Sequence, residues 1–290
     1  MANIHLMSDL HLEHETVSLR HHRAPEGTDV VVLAGDTHPG VLGVIWAAEH
    51  FPGLPVIYVP GNHEYYGRRG FDRHLRRMQE KAAELAESMG ADIRVLDRAV
   101  TEVAGVRFVC ATLWTDYALF GDPDRDMEAA GRLMNDYRKI TIDKPAGGRT
   151  VGLLSPSTLR LRHAEARAFI ETACQDAARE HDGPLVVVTH HAPSARSVTQ
   201  GFKSDEVTPC YASDLDDVVT ASGADFWLHG HIHANVGYDL GATRVTSNPR
   251  GWVDSSPSRD VESFENPTFD PGLLLRLPEP ALATSLTVGR

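Results

Sequence analysis

Five short apolar runs, each handed off within a few residues to Asp, Asn or His, restrict this chain more than any other feature. Residues 29–34 (DVVVLA), 55–59 (PVIYV), 185–189 (LVVVT) and 225–228 (DFWL) are nearly unbroken, and IHLMS at 4–8 makes a fifth. A strand exposed on one face alternates apolar and polar residues, whereas one covered on both faces reads as a continuous apolar run. These runs therefore predict strands with layers on both sides. Helical spacing lies between them. Phe71, Leu75, Met78, Ala82, Leu85 and Met89 recur at intervals of four and three, with Gly90 as a stop. A second helix is predicted over Ala164–Arg179, ahead of Gly183-Pro184. Strand alternating with helix predicts an α/β domain. Residues 99–114 (AVTEVAGVRFVCATLW) differ, because two β-rich runs around Ala104-Gly105 predict a hairpin and hence an antiparallel component. GLLLRL at 272–277 predicts a last strand, and 117–156 reads as an insertion lying over something.

The polar ends carry the chemistry. The five runs lead into Asp9-Leu10-His11, Gly35-Asp36, Gly61-Asn62-His63-Glu64, His190-His191 and Gly230-His231-Ile232-His233. Open α/β sheets bind ligands outside the carboxyl ends of their strands, so strands sharing a sheet would bring these groups together. Glycine there permits tight turns and close backbone approach. Carboxylate, amide and imidazole without thiolate suit Mn, Fe, Zn or Co better than an all-oxygen Ca or Mg cage. Seven or eight such donors exceed one transition ion and match two ions sharing a carboxylate, roughly 3.5–4 Å apart. Each block alone has an ordinary reading: Asp9-His11 as a capped turn, Gly35-Asp36 as a strand-to-helix turn, Gly61-Asn62 as a positive-φ turn. Jointly those readings lose, because no packing rule demands Asp, Asn or His at all five ends.

The ordered set DxH…GD…GNHE…H…GHxH, spread over residues 5–233, resembles the signature of the calcineurin-like metallophosphoesterase superfamily, and the closing SNPRGW and ENPTFDPGLLLRL resemble its small bacterial phosphodiesterase-like members. The resemblance implies a four-layer α-β-β-α sandwich of two mixed β-sheets with a dimetal site at the strand carboxyl ends. A single domain would cover 1–277, with 117–156 over the active site and 278–290 a loose tail. Asp9, His11, Asp36 and His233 would bind one divalent ion. Asp36 would bridge to a second, completed by Asn62, His190 and His231. His63 would face the scissile phosphate and protonate the leaving alkoxide. Within HGHIH at 229–233, His229 belongs to the strand and serves support. Glu64 is expected to hydrogen-bond a histidine. His191, Arg250 and Asn135 are candidate substrate contacts. His14, His21, His22, His50, His74, His163 and His181 lack motif context and are expected at the solvated surface.

The activity so implied is hydrolysis of a phosphoric ester by a metal-bridging hydroxide, with manganese expected and Fe, Zn or Co as alternatives. Protein Ser/Thr phosphatases of the superfamily carry Asp-Arg-Gly after the second block and His-Gly-Gly at the fourth. Here Thr37-His38-Pro39-Gly40 and His191-Ala192-Pro193 stand at those places. The GHxH ending favours a small phosphodiester, with phosphomonoesters or nucleotide pyrophosphates as alternatives. A non-catalytic metal-binding scaffold of the same fold is a rival from another class, disfavoured because all seven ligand positions and His63 are kept. A net charge of −12 argues against long nucleic acid as partner. The apolar runs fall short of the ~20 residues that span a bilayer. No secretory signal is visible at the start, and Cys110, Cys174 and Cys210 fit no disulfide or CxxC pattern, so a reducing cytoplasm is expected.

Overall fold

The computed structural model describes residues 2–14, 19–67, 69–142, 152–254 and 263–277. The predicted tail at 278–290 lies outside the described residues, as do 143–151 of the insertion. Four parallel strands, β1 (Asn3–Met7), β2 (Val30–Ala34), β3 (Pro55–Val59) and β4 (Asp92–Val95), form one sheet in that order. The hairpin follows as β5 (Ala99–Val103) and β6 (Val106–Ala111), antiparallel as expected. Its turn places Ala104 and Gly105 at φ 51° and 76°, the paired positive φ that suits the right-handed twist of flanking strands. A short antiparallel pair, β7 (Thr141–Ile142) and β8 (Gly152–Leu153), lies within the insertion.

The second sheet joins β5 and β6 to β9 (Leu185–Thr189), β10 (Phe226–His229), β11 (Val236–Leu240) and β12 (Thr243–Ser247), in the order β11-β12-β10-β9-β6-β5. Its β6, β9, β10 and β12 are parallel, with an antiparallel strand at each edge. After a short β13–β14 pair (Val253–Asp254, Ser263–Phe264), β15 (Leu274–Arg276) runs antiparallel to β1 and closes the first sheet, where GLLLRL predicts it. Both sheets are therefore mixed.

The continuous apolar runs are explained by the pleat. Val30, Val32 and Ala34 of β2 join Ile4, Ile57, Phe108, Val186 and Leu228 in a core between the sheets. Val31 and Leu33, on the other face, pack with Val44 of α1 (Leu42–His50) and Phe71 and Met78 of α2 (Phe71–Met89). Beyond the second sheet, Val187 and Trp227 meet Ala166 and Ile170 of the long helix and Val218 of the short one near residue 218. The layers are thus α-β-β-α. Helix α2 ends at Gly90 in the left-handed region, as its spacing predicts. The long helix spans Pro156–Glu180 rather than starting at Ala164. Ser155 caps it by accepting from the Thr158 N–H, and Pro156 occupies the first turn, where a missing N–H costs nothing. Ser155-Pro156, at the end of the stretch read as an insertion, is a helix start.

Several histidines expected at the surface are buried. His50, His74 and His163 fall below one tenth exposure, because each sits on the inward face of a helix. His5 is also buried, with Nδ1 3.0 Å from the Leu273 carbonyl and Nε2 3.1 Å from His22 Nε2. Burial, reinforced by neighbouring His5 and His50, brings His22 down to about 4. The unfolded chain protonates this group near its ordinary pKa of about 6.5, so stability is lost as pH falls from there towards 4. In chelator-treated protein the melting temperature should drop between pH 7 and pH 5, and His22→Gln should shrink that drop. An unchanged pH dependence in thermal melts of the variant would remove His22 from the account.

Candidate metal centre

All five predicted strand ends meet along one seam between the sheets. The His231 N–H donates to both Asp9 oxygens at 3.0 Å, linking positions 222 residues apart. His190 Nδ1 donates to the Ala34 carbonyl at 2.9 Å, so its Nε2 faces inward. Asn62 Oδ1 and His231 Nδ1 both stand 3.1 Å from that Nε2. Across the centre, His11 Nε2 and His233 Nε2 are 3.1 Å apart, and His233 Nε2 is 3.4 Å from Asp9 Oδ1. Three donor groups result: Asp9, Asp36, His190 and His231 in one, Asp9, His11 and His233 in a second, and His11, Glu13 and His63 in a third. Asp9 is common to the first two. Asp36 also faces both sides, with Oδ1 3.5 Å from His190 Nε2 and Oδ2 3.9 Å from His11 Nε2.

The chain holds these donors in a form that fits metal ions. Imidazole nitrogens about 2.0–2.1 Å from a tetrahedral ion lie roughly 3.3 Å from one another, close to the separations seen here. The far nitrogens of three rings are tied back: His11 Nδ1 to Glu13 at 3.2 Å, His233 Nδ1 to Glu265 at 2.6 Å, and His190 as above. Such bonds set the tautomer and leave Nε2 free to coordinate. Asn62 is oriented likewise, its amide donating to Asp136 Oδ1 at 2.9 Å so that Oδ1 turns towards His190. Buried His231 Nε2 has no partner among the described residues.

Backbone strain collects at the same residues. Asp9, His11, Asp36, His231 and His233 all have φ between 43° and 67°, a left-handed conformation that costs a side chain roughly 1–2 kcal/mol. The adjoining glycines are required by contact. A Cβ on Gly35 would lie 2.2 Å from His190 Nδ1, on Gly61 2.1 Å from Asp36 Oδ1, and on Gly230 2.5 Å from Asp9 Oδ2.

Electrostatics are dominated by Asp9 and Asp36, both fully buried. Burial would lower the His190 and His233 pKa values, but the carboxylates outweigh it. Asp36 and Asp9 hold His190 up to about 9, and Asp9 with Glu265 holds His233 up to about 10. His63 follows the same logic, raised above its ordinary value because Asp36 and Glu13 overcome burial. Its Nδ1 lies 2.8 Å from Glu13 Oε1 and its Nε2 3.9 Å from Asp36 Oδ2.

Other candidates fall elsewhere. Arg250, read as a substrate clamp, is fully buried, donates to the Leu10 carbonyl and lies over the Phe264 ring. Packing beneath the loop removes it from the phosphate side. His191 sits behind His231, ring centroids 4.2 Å apart, with Nδ1 3.3 Å from the Thr112 carbonyl. Neither lines the cavity over the centre, whereas Asn135 does. Glu64 bonds no histidine among its contacts here. It accepts the N–H groups of Asp36, Thr37 and Gly61 and the Tyr58 hydroxyl at 2.8–3.0 Å, stapling two strand-end loops. Burial and the nearby Asp36 charge push its pKa up to about 7. His229 is buried strand, hydrogen-bonded to Ser197. Sequence reading missed Glu13, Glu265 and Trp252, whose indole stacks on His11 at 3.9 Å. Only Glu13, two residues after His11, carried a local signal.

By fold and donor set this is a metal-centred α/β protein with its chemistry at the strand ends. A sequence model of the calcineurin-like phosphoesterases matches residues 2–235, a span that takes in every strand end described above, and the chain belongs to that family. It is accordingly a metal-dependent hydrolase acting on phosphoric esters. An uncharacterised protein of Acanthamoeba polyphaga mimivirus is 20% identical over 206 residues, 68% of each chain. Among solved structures, the phosphopantetheinyl hydrolase of Mycobacterium tuberculosis superposes with a TM-score of 0.56 at 18% identity, covering 87% of this chain and 90% of that one. The calcineurin-like phosphoesterase YfkN from Bacillus subtilis gives a TM-score of 0.38 at 12% identity, covering 85% and 81%. No helix among the described residues is long and apolar enough to cross a membrane.

Ions that bind only the folded site stabilise it by about 2.7 kcal/mol at a hundredfold excess over Kd. Chelation should therefore lower the melting temperature by about 5 °C or more, and metal should restore it. Gly61→Ala, which drives a methyl into Asp36, should bind less metal by elemental analysis and lose most of the response to chelator. A full response would show that close packing at Gly61 does not shape the centre.

Proposed function

We propose that the chain hydrolyses small phosphodiesters using two divalent ions, manganese first among them. One observation carries the diester reading. The described lining of the cavity over the centre contains no Lys or Arg, while Asp36, Asp205 and Glu265 are part of it. A monoester dianion or a pyrophosphate chain would bring two or more charges to a wall that offers no Lys or Arg to pair with them. A diester brings one. The mixed nitrogen and oxygen donors without thiolate support manganese over calcium or magnesium.

Bound ions would neutralise the phosphoryl oxygens and supply a nucleophile from water near neutral pH. The residues would divide the remaining work. Asp9 and Asp36 with Asn62, His11, His190, His231 and His233 would hold the ions, with the second nitrogens of His11, His190 and His233 tied back as described. His63 lines the cavity, and its Nδ1–H donates to Glu13. That bond leaves Nε2 for the substrate side and favours the protonated ring, which can pass a proton to the leaving alkoxide. Tyr66 packs on His63 with ring centroids 4.2 Å apart and keeps its plane in place.

Stripped protein reloaded with Mn should cleave bis(p-nitrophenyl) phosphate with a kcat/KM about tenfold or more above that for p-nitrophenyl phosphate, a difference of roughly 1.4 kcal/mol in barrier. Preference for the monoester would overturn the diester reading, and no metal-dependent release from either would end the proposal. His63→Ala should cut turnover by about 10²–10⁴-fold with metal content unchanged. Full turnover in that variant would assign the proton to another group.

A further inference from the structure

The geometry points to a subsite for an uncharged, apolar ester arm beside the metal centre, and this rests on the phosphodiester reading above. The cavity measures about 290 Å³, enough for a small substrate rather than a bare phosphate. Its polar lining includes four of the metal donors with Asn62 and His63, and also Asn135, Asp205, Glu265 and two threonines. The apolar lining comes largely from Leu133 and Met134, at the end of the insertion helix Pro123–Leu133, and from Val198, Phe202 and Val207 in the segment after β9. Leu133, Phe202 and Trp252 are 42%, 58% and 38% exposed, and all three line this one cavity. Exposed apolar side chains scattered singly need no explanation, but gathered around a reactive centre they mark a ligand surface.

The two apolar walls also meet at the surface, where exposed Arg132, beside Leu133, pairs with Glu206, beside Val207. The pair leaves Arg132 outside the cavity lining. Charge narrows the occupant further. With Asp205 and Glu265 in the lining and no described Lys or Arg, an arm bearing phosphate or carboxylate would be repelled. An alkyl or aryl arm would bury itself against Leu133, Met134, Phe202 and Val207 instead.

The test uses Mn-loaded full-length protein and the competitive inhibition constants of methyl alkyl phosphates, from dimethyl to methyl hexyl, against bis(p-nitrophenyl) phosphate turnover. Each added methylene that enters the subsite should lower Ki by up to about fourfold, and calorimetric titration should return the same ranking. Phe202→Ser and Leu133→Ser, both at exposed positions, should each flatten that dependence, read as a slope within one variant. A flat slope in the wild-type protein, with the reference diester still hydrolysed, would overturn the apolar subsite alone. A slope unchanged in both variants would overturn its placement. Tighter inhibition by methyl phosphocholine than by the hexyl ester would replace the uncharged arm with a cationic one. If bis(p-nitrophenyl) phosphate is not hydrolysed at all, the phosphodiester reading fails first.

Discussion

Two buried carboxylates organise this molecule. Asp9 and Asp36 are at most 1% exposed, and an unbalanced buried charge costs several kcal/mol. The cations facing them are imidazoles, His190 and His63 around Asp36 and His233 beside Asp9, whereas burial holds His11 below its ordinary pKa. Backbone N–H groups do the rest, those of His231 for Asp9 and of His63 for Asp36. A site that gathers so much negative charge and so many nitrogen lone pairs in a buried seam is stable when divalent ions enter it. Its chemistry follows from the same arrangement, since phosphoryl transfer needs concentrated positive charge more than covalent partners.

That centre dictates features that would otherwise be costly. Left-handed φ at five donors turns each side chain out of its strand direction and into the seam. Glycine at 35, 61 and 230 is what allows backbone and ligand to approach so closely. Glu64 connects the second and third strand ends through four hydrogen bonds, so the loops bearing Asp36 and Asn62 move as one body. The insertion contributes as well. Asp136 orients Asn62, and Leu133, Met134 and Asn135 line the cavity, so the segment helps to build the site as well as to cover it.

Much was legible from local pattern. Period-two packing on both faces makes a strand read as continuous Val, Ile and Leu, so β1, β2, β3, β9, β10 and the α2 helix stand out, whereas inner strand β12, with Thr and Arg among its residues, does not. The long helix is predicted too short because Ser155-Pro156 closes the stretch read as an insertion, although a Ser cap followed by Pro is a helix start. The histidines at 50, 74 and 163 were misplaced for a different reason. One polar residue on an inward helical face is invisible to a periodicity set by its apolar neighbours. Arg250 shows the converse. A basic residue in a loop after a metal motif suggests a phosphate clamp, yet its guanidinium turns inward to the Leu10 carbonyl, a contact 240 positions away in the chain.

The sequence alone determined the donor types, their order and their location at strand ends, because strand period and the chemistry of Asp, Asn and His are properties of short segments. Tertiary structure decided which donors share a group, with Asp9 common to two of them. It also chose Glu13 and Glu265 to orient the imidazoles, put Trp252 against His11, and kept Lys and Arg out of the described cavity lining. Those outcomes depend on how two sheets pack face to face. Packing joins residues more than two hundred positions apart, and no local pattern carries that distance.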